Sequence, residues 1–357
     1  MQRIEQLREK IDQIDDQLLK SLNRRAELAI QIGKEKSKTS SAKHFHVPHR
    51  EREIIERLQK NNKGVFPNSS LDAVFREIFS ATLALEKPLS IAYFGPATTF
   101  THQAALKQFG HSAVYNPLAT IDGVFAEVEK GAADYGVVPI ENSIEGVVNL
   151  TLDSFIDSPL IINDEIKMGI SLCLLSRSGD PAKVKKIYSH PQPLAQSRNW
   201  LNRNFPGVEQ IPASSTAQAA QIANRDESSA AVASQLAAEF YHLEILGAKI
   251  EDQRENHTRF LVIGKEKAKK ARHNRTSIMF SIKDESGSLL KALQLFAKHN
   301  INLAKIQSRP LRNRLWESLF YLDFDGHIED KAIAKVLSTL GRQCLFLKVM
   351  GSYPRKA

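Results

Sequence analysis

Apolar positions in the first part of the chain recur with a helical period. Ile4, Ile11, Leu18, Leu22, Ala29 and Ile32 share one seam built from three- and four-residue steps, which predicts a helix over residues 1–36. Neither Pro nor Gly interrupts it before Gly33. Such a length exceeds the usual globular helix and predicts a bundle or coiled-coil partner for the seam. A polar loop runs from Ser37 to His49, with Pro48 placed as a helix-start residue. Arg50–Gln59 and Leu71–Glu86 read as two further helices, separated by Asn61, Asn62, Gly64 and Pro67. The section 1–87 is therefore predicted to be all-α.

After Pro88 short apolar runs alternate with helical stretches. Leu89–Phe94, Ala113–Tyr115, Tyr135–Ile140, Ile170–Leu175, Lys186–Ser189, Ala230–Ala233 and Arg259–Ile263 are candidate strands. Thr120–Lys130 and Gln192–Asn202 are helices between them. The alternation predicts an α/β section over 88–265 with mainly parallel strands, long enough for two lobes. Residues 266–275 form a basic linker. Section 276–357 then reads β-α-β-β-α-β, through Ser277–Ile282, Ser288–His299, Asn302–Ser308, Leu315–Asp323, Ile328–Leu340 and Cys344–Met350. That order predicts an α+β, ferredoxin-like unit.

Composition narrows the class. At 357 residues, 42% hydrophobic and 25% charged, the chain is multidomain and globular, which excludes disordered and fibrous classes. A net charge of +9 invites a nucleic acid, a membrane surface or anionic small ligands. The charge is uneven, however: +4 over 1–87, −2 over 88–274 and +7 over 275–357. Lys and Arg cluster only in the linker, so no nucleic-acid partner is expected. The N-terminus lacks an apolar signal core and no stretch of 18 apolar residues follows, so a cytoplasmic protein without membrane attachment is expected. Cys173 and Cys344 lie too far apart in sequence to suggest a zinc cluster or a disulfide framework. His44, His46 and His49 alternate without an acidic or Cys partner, and no metal is expected.

Three cations fall on the helical seam: Arg8, Arg25 and Lys36. Unpaired buried charge is costly, so something must meet them. Snorkelling, or pairing of Arg8 with Glu5 or Asp12, is one answer. An anionic ligand is the other. LREKID (7–12), NRRAELAIQIGKEK (23–36), PHRE (48–51) and FREIFSATLALE (75–86) resemble the all-helical chorismate mutase family. The resemblance implies an intertwined dimer in which Arg8 enters the partner subunit's site and Arg25 holds a substrate carboxylate. It further implies that Lys36 donates to the ether oxygen of chorismate, with Glu86 against that oxygen and Thr82 one turn before it. Arg50 and Glu51 would fix the ring end. The pericyclic rearrangement needs no nucleophile or cofactor. Some members have Gln at the position of Glu86, where a carboxylate helps only when protonated. Some have Asp in place of Val47.

In the α/β section, GPATTFTHQAA (95–105) follows a strand and opens a helix, good material for an anion site or an ordinary cap. ADYGVVPIENSIEGVV (133–148) and SHPQPLAQ (189–196) place polar clusters just past strand ends, where α/β sheets hold ligands. SSTAQAA (214–220) is a hydroxyl-rich helix start, and HTRFLVIG (257–264) heads a strand. Turn and cap chemistry would also explain each block. Together, in this order, they resemble prephenate dehydratase, whose fold is two lobes around a cleft, similar to periplasmic binding proteins. The resemblance implies Thr258 at the departing hydroxyl, as hydrogen-bond donor or relay, with Glu141 or His190 supplying the proton. Asn142, Ser143, Ser189, Gln196 and Arg259 would orient the substrate. Ser214, Ser215 and Thr216, with Thr99 and Thr101, would bind carboxylate. Thr98 stands where the family usually has Gly, and Ile144 where it usually has Thr.

The C-terminal unit resembles an ACT domain. Gly287-Ser288-Leu289-Leu290 and Gln307-Ser308-Arg309-Pro310 occupy the positions that bind phenylalanine in feedback-regulated members. The chain as a whole resembles the bifunctional chorismate mutase–prephenate dehydratase family. That implies substrates chorismate and prephenate, phenylalanine as effector, no cofactor, and a homodimer or homotetramer. A non-catalytic amino-acid sensor is the rival reading.

Overall fold

The computed structural model describes residues 2–38, 46–253, 255–283, 285–310 and 318–356. They form two compact units, 1–90 with 106–114, and 91–105 with 115–357.

The first unit holds three helices, α1 (Gln2–Lys38), α2 (Pro48–Asn61) and α3 (Asn68–Ala84). Pro48 opens α2, as its fixed φ and missing N–H favour. Helix α3 stops short of the expected Glu86, which sits in a turn whose N–H donates to Leu83 O (3.0 Å). Only Phe79 and Ser80 of α3 are buried, and α2 buries nothing. The α1 seam is open: Ile4, Ile11, Leu18 and Ile32 are each more than half exposed. A helix about 55 Å long outreaches the 14- and 17-residue helices beside it.

After these helices the chain continues with β1 (Ser90–Phe94), α4 (Phe100–Phe109), β2 (Val114–Leu118), α5 (Ile121–Lys130), β3 (Tyr135–Asn142), β4 (Gly146–Val147), α6 (Asn149–Asp157) and β5 (Ile161–Gly169). Next come β6 (Cys173–Ser176), β7 (Lys186–Ser189), α7 (Pro191–Gln196), α8 (Arg198–Asn204), β8 (Glu209–Pro212), α9 (Thr216–Arg225), β9 (Ser229–Ala233), α10 (Gln235–Tyr241) and β10 (Glu244–Ala248). Strand β11 (His257–Gly264) returns to the first sheet. The two sheets run β2-β1-β3-β11-β5 and β10-β6-β9-β7-β8, one per lobe. They are mixed rather than mainly parallel. β1–β3, β7–β8 and β7–β9 are parallel, whereas β11 enters antiparallel between β3 and β5, and β6 lies antiparallel to β9 and β10. The chain crosses between lobes twice, and a strand returning from the other lobe need not obey the right-handed βαβ rule.

The remainder is β12 (Asn274–Ser281), α11 (Ser288–Lys298), β13 (Leu303–Pro310), β14 (Ser318–Asp325), α12 (Lys331–Gln343) and β15 (Phe346–Pro354), in sheet order β13-β14-β12-β15. This is the expected ferredoxin-like order, closed over Phe280, Phe296 and Phe324. Part of the expected strand at 315–323 lies outside the described residues. Strand β12 takes in Arg275, the last residue of the stretch read as linker. The +7 of this section also finds its partners. Arg275 pairs with Glu165 (2.7 Å), Arg309 with Asp153 (2.6 Å) and Lys305 with Glu141, all acids of the slightly negative α/β section.

Candidate active sites

In the helical unit, α1 and α3 bring Arg25 and Thr82 together: Arg25 Nη1 donates to Thr82 Oγ1 (2.8 Å). That hydroxyl donates in turn to Ile78 O (2.6 Å), one turn back. The guanidinium also lies over the Phe79 ring, 5.1 Å from its centroid. Burial lowers the Arg25 pKa, and the Glu51 carboxylate offsets part of that. Glu86 lies against Gly33, where a Cβ would sit 2.5 Å from its Oε2. The glycine in α1 is thus the space the carboxylate occupies. Glu51 faces His46 Nε2 at 3.5 Å. Arg8 is exposed, and Arg50 is exposed and pairs with Glu53 (3.2 Å). Lys36 lies in the backbone of α1; its side chain is outside the described residues.

A cleft of about 840 Å³ opens between the two lobes, a size suited to a small ligand. Thr99, Thr101, Asn142, His190, Gln196, Ser214, Ser215, Thr216 and Thr258 all line it. Two ten-residue helices start at its wall. Ser215 caps α9, its hydroxyl accepting the Gln218 N–H (3.0 Å). Thr99 Oγ1 accepts weakly from the His102 N–H (3.4 Å) at the head of α4. Helix starts present N–H groups and a partial positive charge to an anion. Among the described residues, no Lys or Arg lines the cleft. His190 Nδ1 accepts from the Gln192 N–H (3.4 Å), so in the neutral ring the proton is on Nε2. Glu145 is the carboxyl of the lining, and burial raises its pKa.

Four expected cleft residues face elsewhere. On β3 and β11, Asn142 pairs in register with Thr258 and Glu141 with Arg259. Side chains alternate along a strand, so the first pair lines the cleft and the second lies behind the sheet. There Arg259 donates to Glu165 (2.7 Å), Asp323 (2.6 Å), Glu141 (3.3 Å) and the Tyr353 hydroxyl (2.7 Å). Arg259 and Glu141 therefore do not contact the cleft. Ser143 Oγ pins the chain, donating to Glu255 O (2.9 Å) and accepting the His257 N–H (3.0 Å). Ser189 is fully buried and donates to Val232 O (2.6 Å). Conversely, Asn256 and Glu145 line the cleft without having been singled out. Asn256 stands two residues before Thr258, the same-face spacing of an extended chain. Thr98 adopts φ 69°, the left-handed conformation glycine favours, with its hydroxyl buried.

In the C-terminal unit, Gly287 (φ 82°) precedes α11, which begins Ser288-Leu289-Leu290, and Leu290 is exposed. Gln307, Ser308, Arg309 and Pro310 end β13. Arg309 is turned to the first lobe, where it meets Asp153 (2.6 Å) and Asn149 O (3.0 Å).

Three family models match in chain order: chorismate mutase type II over residues 7–87, prephenate dehydratase over 91–268 and the ACT domain over 276–342. The chain is 51% identical, over 99% of both, to the bifunctional chorismate mutase/prephenate dehydratase of Aquifex aeolicus. It resembles the solved prephenate dehydratase of Arthrobacter aurescens in complex with L-Phe, at TM-score 0.69 and 31% identity, covering 74% of this chain and 89% of that one. A solved chain titled GqqA, a quorum quenching acylase, is also similar, at TM-score 0.68 and 28% identity, with 74% of this chain and 98% of that one covered. With both catalytic segments matched in order along its whole length, the chain belongs to the bifunctional chorismate mutase/prephenate dehydratase family, and it rearranges chorismate to prephenate and converts prephenate to phenylpyruvate.

Proposed function

We propose that the two reactions use separate sites, and that the inter-lobe cleft is the dehydratase site. The observation that carries this is the convergence of Thr258, Asn142, His190 and Gln196 with two helix starts on one cavity. Prephenate is a dianion, and the cleft meets it with hydroxyls, amides and helix N–H groups rather than with cations. The starts of α4 and α9 hold the pyruvyl carboxylate. The ring carboxylate leaves as CO2, its bonding pair entering the ring. The ring C–O bond breaks, and the hydroxide departs as water with one added proton. Thr258 donates a hydrogen bond to that hydroxyl; a Thr hydroxyl is too weak an acid to supply the proton alone. His190 supplies it, since Glu141 stands behind the sheet.

In the helical unit, Arg25 holds a chorismate carboxylate and Lys36 and Glu86 meet the ether oxygen. Catalysis is restraint of a flexible dianion together with electrostatic stabilisation of the breaking bond. A second copy of the chain covers the exposed α1 seam and receives Arg8, as a homodimer or homotetramer. Phenylalanine binds the C-terminal unit around Gly287–Leu290 and Gln307–Pro310 and lowers dehydratase activity. The L-Phe complex of the Arthrobacter relative supports that reading. The two free cysteines suit a reducing cytoplasm.

The test is a coupled assay of purified protein with chorismate, following prephenate and phenylpyruvate with and without phenylalanine. Thr258→Ala is expected to stop at prephenate. Phenylpyruvate formation by that variant would refute the cleft assignment, and rates unchanged by phenylalanine would refute feedback.

A further inference from the structure

A chain of side-chain amides crosses the cleft, and both its ends fix its direction. At one end Asn142 Oδ1 accepts the backbone N–H groups of Ile144 (2.9 Å) and Glu145 (3.2 Å). A backbone N–H can only donate, so the Asn142 amide orientation is determined. Its Nδ2 then donates to Asn256 Oδ1 (2.8 Å) and to Thr258 Oγ1 (2.8 Å). Asn256, 1% exposed, therefore presents Nδ2 to Gln196 Oε1 (3.1 Å). Gln196 in turn presents Nε2 to Glu145 Oε1 (3.3 Å). A carboxylate can only accept, so the far end demands the same orientation.

The chain also spans the lobes. Gln196 ends α7 in the second lobe, whereas Asn142 and Thr258 belong to the first sheet. Asn256 sits at the crossing, where its own carbonyl accepts the Ile170 N–H (2.8 Å) and so ties the two inter-lobe connections together. The outcome bears on Thr258. Its oxygen already accepts from Asn142, and among the described residues its hydroxyl proton has no acceptor, so it is left to the cleft.

We propose that Asn256 and Glu145 are positioning residues for the dehydratase step: by satisfying the amide chain whose direction Asn142 sets, they hold Asn142 against Thr258, so that Thr258 faces the substrate as a donor. This rests on the reading of Thr258 given above.

The test exploits the fact that the chain can be reversed. Asn256→Asp leaves Gln196 between two carboxylates, so one end always meets oxygen with oxygen. Glu145→Gln removes the acceptor-only end. The charge-conserving double variant puts the carboxylate at 256 and the amide at 145; Gln196 then turns over, every donor finds an acceptor, and Asn142 still meets an oxygen. Both substitutions keep side-chain size. In the full-length protein supplied with prephenate, Asn256→Asp is expected to lower kcat about a hundredfold and Glu145→Gln about fivefold, with KM little changed. The double variant should recover at least about tenfold over Asn256→Asp. The Asn256→Asp rate should also rise as pH falls, when one carboxylate is protonated. Denaturant unfolding of the same samples checks that the α/β unit is folded. Single variants at wild-type rates, or a double variant as slow as the two losses multiplied, would overturn the proposal. Thr258→Ala is measured in parallel: activity retained there would sink the Thr258 reading, whereas the cycle judges the amide chain itself.

Discussion

On the proposed assignment, the helical unit and the inter-lobe cleft meet their dianions in opposite ways. In the helical unit a half-buried guanidinium is the proposed anchor: Arg25 is fixed by Thr82 and Phe79, and Gly33 makes room for Glu86. Its longest helix leaves an apolar seam and Arg8 exposed. The cleft has neither feature. Among the described residues its wall carries no lysine or arginine, and hydroxyls, amides and helix starts line it instead. Arg259, Arg275 and Lys305 lie behind the sheet instead, in one ionic cluster. Net charge is thus a poor guide to where an anion binds. A fixed dipole can serve where a full charge would also bind the ground state strongly.

The comparison breaks most visibly with two variants. Thr258→Ala should cut prephenate turnover about 10²–10⁴-fold and leave chorismate turnover intact. Arg25→Ala should do the reverse, with a loss of about 10²–10³-fold measured on chorismate alone. The next contrast is between the two faces of β11. Arg259→Ala removes the cation from buried Asp323 and leaves buried Glu165 with Arg275 alone, and should cost about 3–5 kcal/mol in denaturant unfolding of the α/β unit. Thr258→Ala, one residue away, should cost little stability.

Smaller effects sharpen the picture. Gly33→Ala favours helix but pushes the Glu86 carboxylate aside. Mutase kcat should fall about tenfold, with the helical signal unchanged. Burial raises the Glu145 pKa, and the amide chain needs its ionised form. Dehydratase kcat should therefore fall as pH drops through that raised value. Glu145→Gln should remove that fall from the kcat–pH profile. Least of all, Thr98→Gly relieves a left-handed threonine and should add about 1 kcal/mol of stability with both activities kept.

Much of this arrangement was legible in the sequence. The uninterrupted seam specified α1, the βαββαβ order specified the C-terminal sheet, and Asn142 and Thr258 stood at strand ends where ligands are held. What was misread followed from treating motifs as units. Glu141 beside Asn142 and Arg259 beside Thr258 cannot share a face with their neighbours, because an extended chain alternates. The same period points to Asn256, two residues before Thr258, which block-wise reading passed over. Strand direction is not written in hydrophobicity, so the antiparallel return of β11 was invisible. The positive C-terminal section made sense only once its acidic partners, Glu165, Glu141 and Asp153, were in place.

The central claim, two independent sites in one chain, is tested most directly by assaying the Thr258→Ala and Arg25→Ala proteins separately and then mixed. Alone with chorismate, Thr258→Ala should accumulate prephenate and Arg25→Ala should form nothing. Mixed, they should make phenylpyruvate. Loss of both activities in either folded variant, or no phenylpyruvate from the mixture, would contradict the account.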